Sequence, residues 1–163
     1  MTFDPVPLLE RLAAAGVDFV VIGGIAGTAH GSAYVTNDLD IAYRQTEENL
    51  ERLVEVLREV HATLRGAPAD VPFLLDAETL AAGANFTFDT DFGAFDILAD
   101  PAGAPNYGEL RKAADLFEIG TLQVPFASLD HLIRMKDATG RPRDRERSME
   151  YRTLADEVER AEP

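Results

Sequence analysis

Apolar residues recur along this chain in two rhythms, one helical and one extended. From Pro7 to Ala15 the spacing of Leu8, Leu9 and Leu12 predicts a helix, and Gly16 stops it. Val17 to Ile22 is almost unbroken apolar sequence, as expected for a strand buried on both faces. Gly23-Gly24 ends that run, and Gly24 to His30 predicts a short helix of small residues closed by Gly31. Leu39 to Tyr43 predicts a second strand. Thr46 then offers an N-cap and Glu47-Glu48 an acidic first turn to a helix whose buried stripe is Leu50, Leu53, Val54 and Leu57. Residues 66–72 read as a loop. Asn85 to Phe88 and Ala94 to Leu98 read as strands of a hairpin turning through 89–93. Tyr107 to Leu116 predicts a helix, Thr121 to Val124 a short strand, and Ser128 caps a helix running through Lys136. Gly140-Arg141-Pro142 breaks that helix, and a last one runs from Asp144 to Glu159. The order predicts a mixed α/β (α+β) fold, with a small sheet of about four or five strands flanked by helices.

Composition adds limits rather than detail. The 163 residues suffice for one core and are expected to form a single domain, its core over 1–125 and a C-terminal helical part over 126–160. No apolar run approaches the ~20 residues of a membrane span, so no membrane partner is expected. The N-terminal MTFDPVPLLERL lacks the basic-then-apolar layout of a secretory signal, and a cytoplasmic location is expected. With no cysteine, disulfides and thiolate metal sites are excluded. The formal net charge of -14 argues against broad nucleic-acid binding, which depends on neutralising phosphates. That charge is uneven. Residues 66–109 contain no Lys or Arg, whereas 134–152 hold seven of the fifteen basic side chains. An acidic middle and a basic C-terminal segment can meet across one cleft, or the basic residues can simply form a solvated helix face.

The candidate chemistry sits in Asp38-Leu39-Asp40-Ile41. Alternate residues of a strand share a face, so Asp38 and Asp40 lie side by side while Leu39 and Ile41 face a core. Adjacent carboxylates repel unless a proton or a cation lies between them. A lone Asp-x-Asp is a weak signal, but this one follows a strand, a diglycine turn and a short helix. Asp96 is a third acid, placed inside the apolar strand Phe95-Asp96-Ile97-Leu98. A buried lone carboxylate is costly unless paired, and a cation shared with Asp38 and Asp40 would pair it. Lys136 and Arg141 are either phosphate contacts or salt-bridge partners of the acidic segment. Thr36 either bonds phosphate or caps a turn, the cap being the simpler reading. His30 reads as structural, and His61 and His131 as ordinary helix residues.

Taken together, Gly23-Gly24, the Asp38/Asp40 pair and the later Asp96 resemble the minimal nucleotidyltransferase fold shared with DNA polymerase beta. Gly23-Gly24-Ile25-Ala26, His30-Gly31, Thr36, the segment Ser128 to Lys136 and Gly140-Arg141-Pro142-Arg143-Asp144 further resemble small bacterial nucleotidyltransferases related to AbiEii-type toxins. The resemblance spans Phe19 to Asp144. It implies that Asp38, Asp40 and Asp96 bind Mg²⁺ (or Mn²⁺) as catalytic ligands and that Gly23 and Gly24 approach the phosphates of an NTP such as ATP. Thr36, Lys136 and Arg141 would complete nucleotide binding. A nucleoside monophosphate would pass to an acceptor hydroxyl on an RNA 3′ end, a protein or a small molecule, and a cognate antitoxin is an implied partner. Relatives often carry Arg where this chain has Tyr34, which leaves a second reading: a non-catalytic module of the same fold that binds a nucleotide or a partner.

Overall fold

The computed structural model describes residues 2–68 and 70–163, so the loop expected over 66–72 includes one residue outside the described set. Helix α1, Pro5–Ala14, is capped by the Asp4 carboxylate accepting from Val6 N and buries Leu8, Leu9 and Leu12. Strand β1 is Phe19–Ile22, and α2, Gly23–Ala29, starts directly from it. Strand β2 is Asp38–Tyr43. Helix α3, Glu47–Glu59, has the predicted Thr46 cap and buried stripe. Strand β3 is the two-residue Thr63–Leu64, and α4 is Ala77–Ala82. Strands β4, Asn85–Thr90, and β5, Gly93–Leu98, form the predicted hairpin. Helix α5, Tyr107–Ala113, leads to β6, Asp115–Ile119, and β7, Leu122–Phe126. Helices α6, Leu129–Thr139, and α7, Pro142–Ala161, follow.

The strands make one seven-stranded mixed sheet in the order β3-β4-β5-β2-β1-β7-β6. The expectation of about four or five strands is corrected by β3 and β6. Residues 114–116, expected to prolong a helix, instead leave α5 and enter a hairpin between β6 and β7. Gly120, at φ 63°, takes the first of the two turn positions between Ile119 and Leu122, where a tight hairpin favours glycine.

The central strands β1, β2 and β5 are the most thoroughly covered. Val20, Val21, Leu39, Ile41, Phe95 and Ile97 are fully buried. Buried Asn49 pins the ends of this layer. Its side chain accepts from Asp18 N at 2.7 Å and donates to the carbonyls of Asp18 and Arg44 at 3.0 and 2.8 Å.

One of the three histidines ties two parts of the frame together. His30 Nε2 lies 2.9 Å from the Ala127 carbonyl and its ring meets Phe117 edge-on, consistent with the structural role expected. His131 sits on α6 as expected, its basicity lowered by burial and by Arg134. His61 departs from expectation. It lies beyond α3 at φ 54°, closing the helix in a left-handed position, and its Nδ1 is 2.5 Å from Asp91 Oδ2.

The last two helices form a hairpin turned by Gly140 at φ 64°. Helix α7 is locked onto the segment after α2. Tyr151 covers Gly27, where an added Cβ would stand 2.4 Å from the tyrosine hydroxyl oxygen. The Glu150 carboxylate accepts from the Ser32 hydroxyl and, at 3.0 Å, from Ala33 N.

Candidate active site

Parallel pairing of β2 with β5 sets the register of the acids. Asp40 is paired with Asp96 and Asp38 with Ala94. Their alternating neighbours Leu39, Ile41, Phe95 and Ile97 point into the core, so all three acids are turned to the same open face. One oxygen from each of Asp38, Asp40 and Asp96 lies within 4.8 Å of the others. On the other side of β2, Ile22 pairs with Asp40, and the chain turns immediately afterwards into Gly23. Gly23 has φ 69°, and a Cβ there would stand 2.1 Å from Asp40 Oδ2. A Cβ on Gly24 would stand 2.8 Å from Thr36 Cβ. The diglycine is therefore required twice, for a left-handed turn and for the close approach of two neighbours.

The electrostatics of the cluster are unbalanced. Burial pushes the Asp40 carboxyl up to about 8, and the negative charges of Asp38 and Asp96 add to the effect. Lys136 opposes it without cancelling it. Asp96 is also raised by burial, although Arg65 pulls it the other way. Arg65 Nη2 donates to Asp96 Oδ1 at 2.8 Å and to the Phe88 carbonyl at 2.7 Å, while its Nε donates to Asp89 at 3.2 Å. Asp38 accepts from the Thr36 hydroxyl at 2.8 Å. Thr36 thus orients an acid of the cluster. Three half-buried carboxylates, one of them forced toward neutrality, suit a hard divalent cation, and the all-oxygen donor set fits Mg²⁺ or Mn²⁺.

The α6–α7 hairpin faces this cluster with positive charge. Two concavities of about 370 Å³ each meet at Asp40, Lys136 and Arg143. One is polar, bounded by Gly24, Thr36, Asp38 and Arg147. The other lies beside Asp96 and is walled largely by apolar groups, among them Phe86, Leu98, Leu132 and Met135. Arg141 lines this second concavity. Lys136 lines both concavities and pairs with Asp144, 3.5 Å away, on its own side of the cleft rather than with an acid of the 66–109 segment. The acidic middle and the basic C-terminal segment do share a cleft. Arg65, Arg143 and Arg147, which the sequence did not single out, belong to its surroundings.

No protein-family model and no curated protein matches the chain. Solved structures do. One is a Thermotoga maritima protein assigned as a nucleotidyltransferase, with 18% identity, a TM-score of 0.55, and 93% of this chain and 89% of the other covered. A second is the lincosamide antibiotic adenylyltransferase LnuA in its lincomycin-bound form, with 10% identity, a TM-score of 0.61, and coverage of 91% and 94%. A third is ANT(2″)-Ia in complex with adenylyl-2″-tobramycin, with 15% identity, a TM-score of 0.54, and coverage of 94% and 88%. Seven strands in mixed order with seven helices among the described residues, matched to these molecules over nearly the whole chain, give this protein the nucleotidyltransferase fold.

Proposed function

We propose that this protein is a metal-dependent nucleotidyltransferase, moving a nucleoside monophosphate from an NTP to an acceptor hydroxyl. The observation that carries the reading is the in-register pairing of Asp40 with Asp96, with Asp38 beside them and Gly23 against Asp40. Asp38, Asp40 and Asp96 would hold Mg²⁺ or Mn²⁺, which when bound supplies positive charge to the transferring phosphoryl group. Gly23 and Gly24 leave the backbone bare where the triphosphate must come close. Lys136 and Arg141 attract its phosphates from the opposite wall. Arg65 donates to Asp96 Oδ1 and so orients that carboxylate, which would take the proton of the acceptor hydroxyl as its oxygen attacks the α-phosphorus. The bond from the α-phosphorus to pyrophosphate breaks, and pyrophosphate leaves.

The acceptor is best sought among small molecules. A concavity of about 370 Å³ with apolar walls lies directly beside Asp96, within the size range of small-molecule sites. LnuA and ANT(2″)-Ia are antibiotic-modifying proteins of this fold. The net charge of -14 opposes a polyanionic RNA acceptor. A toxin role, with RNA or protein as acceptor and a cognate antitoxin, rests on the sequence resemblance alone. One experiment separates these readings: incubate the wild type with each radiolabelled NTP, Mg²⁺ and a whole lysate. Label in the small-molecule fraction is expected. Label in RNA or protein moves the acceptor to that class. No NTP consumption, together with no binding of metal or nucleotide, overturns the enzyme. The alternative of a non-catalytic nucleotide- or partner-binding module draws on Arg65, which already neutralises part of Asp96 without any cation. Nucleotide binding without turnover would select it.

A further inference from the structure

The polar concavity at the diglycine turn is built to hold more negative charge than the acidic cluster can explain. Its far wall is one face of α7, where Arg143, Arg147, Glu150 and Tyr151 recur at helical spacing. Tyr151 and Glu150 are the two residues that lock α7 onto Gly27 and the segment at Ser32 and Ala33. That anchor lies one turn from Arg147 and fixes where its guanidinium begins. Tyr34 fixes where it ends, because the guanidinium carbon of Arg147 lies 5.1 Å from the centre of the Tyr34 ring. Yet the charge so carefully placed has no counter-charge. Among the described residues neither Arg143 nor Arg147 joins an ion pair, and Arg147 Nε is buried with no hydrogen-bond partner. Other basic residues of α7 differ: Arg152 donates to Asp137 at 2.6 Å and Arg145 to the Gly140 carbonyl. A half-buried guanidinium, stacked on Tyr34 and with its Nε unpartnered, next to Gly24 and Thr36 is a binding group without its ligand.

We propose that Arg147, braced on Tyr34 and assisted by Arg143, grips the β and γ phosphates of the nucleoside triphosphate. The inference rests on the nucleotidyltransferase reading and adds to it a specificity device. Selection for a triphosphate lies on α7, across the cleft from the acids, and an aromatic ring sets its aim.

The test uses inorganic tripolyphosphate, which carries the phosphate chain without a base, titrated calorimetrically into the protein with Mg²⁺ present. The wild type binds it. Arg147→Gln weakens binding by about tenfold or more, the loss expected for a charge-assisted contact. Tyr34→Phe keeps a ring under the guanidinium and binds like the wild type, whereas Tyr34→Ala weakens binding about threefold. Thermal melts of each variant check that the fold is kept. Tyr34 is exposed, so its pair of variants reports even if Arg147→Gln melts early. If the wild type binds tripolyphosphate and Arg147→Gln binds equally well, the grip is overturned while the enzyme reading stands. The same holds if the wild type labels an acceptor from NTP but does not bind tripolyphosphate. If it does neither, both fall.

Discussion

Two aspartates, Asp144 buried and Asp40 half-buried, stand within the same concavity and experience opposite fields. Asp144, on the first turn of α7, is only 5% exposed, yet its carboxyl is held below the usual range. Burial alone would raise it, but the Thr139 hydroxyl donates to it at 2.8 Å, Lys136 lies 3.5 Å away, and Arg141 adds positive charge. Asp40, across the cleft, is less completely covered and is pushed up to about 8 by burial, to which the charges of Asp38 and Asp96 add more than Lys136 offsets. Burial by itself therefore does not mark a functional acid. What separates the two is whether the chain brings donors along with the carboxylate. Asp144 has its partners and holds the α6–α7 corner together. Asp40 lacks them, and the missing charge is what a cation would bring.

This contrast can be broken in three places. The largest effect is expected from Asp38→Asn combined with Asp40→Asn. It should abolish Mg²⁺-dependent NTP consumption while leaving the circular dichroism intact and, without divalent cation near neutral pH, the melting temperature no lower than in the wild type, since relief of the repulsion at Asp40 offsets the altered Thr36 contact. Retained turnover would disprove a role for the pair. The next effect is a pH dependence of stability. A carboxyl raised from 3.8 to about 8 binds a proton more tightly in the folded state. Its contribution is complete below the unfolded value and is lost as pH rises toward 8, by up to about 1.4 kcal/mol per pH unit. Thermal melts without divalent cation should therefore fall in that window. Mg²⁺ should restore stability most at its alkaline end, and Asp40→Asn should flatten the curve. A cation-free profile that is already flat in the wild type would rule out the imbalance at Asp40.

The smallest effect falls on the satisfied acid. Asp144→Ala leaves Lys136 and Thr139 without their partner and should cost about 1–3 kcal/mol, read by denaturant unfolding. Here the pH sign is reversed. A depressed carboxyl stabilises above its unfolded value, so the wild type's advantage over Asp144→Ala should shrink as pH falls below about 4. An advantage that persists undiminished in acid would show that the ion pair is not its source.

The sequence disclosed the acid side of this site more readily than the basic side, for physical reasons. Strand alternation is a two-residue rhythm. It places Asp38 and Asp40 together, and Asp96 on one face of its own strand, without knowledge of anything distant. The diglycine was visible because few other residues can make that turn. Arg65 was hidden because β3 spans two residues, too few to show any period, and its partner Asp96 is reached across β4. The basic segment is legible as a whole, but which of its residues face the cleft is not: α7 is polar along most of its length, so the inward face that carries Arg143 and Arg147 is chosen by Tyr151 against Gly27 rather than by an apolar stripe. Asp115 and Leu116, the start of β6, read as the end of a helix because this short strand is mostly exposed and its charges suit either element. His61 was read as helical because nothing in its side chain signals a left-handed backbone.

The register between β2 and β5 also dictates when the protein can become competent during folding. Hairpins such as β4–β5 and β6–β7 close over short loops, but the parallel pairing of Asp40 with Asp96 must bridge α3, β3, α4 and β4. A nascent chain that has made every local hairpin still has only a two-acid half-site. Tight cation affinity should therefore arrive late, with the closing of that long-range seam, and a metal-sensitive signal in refolding would time the completion of the sheet rather than its beginning.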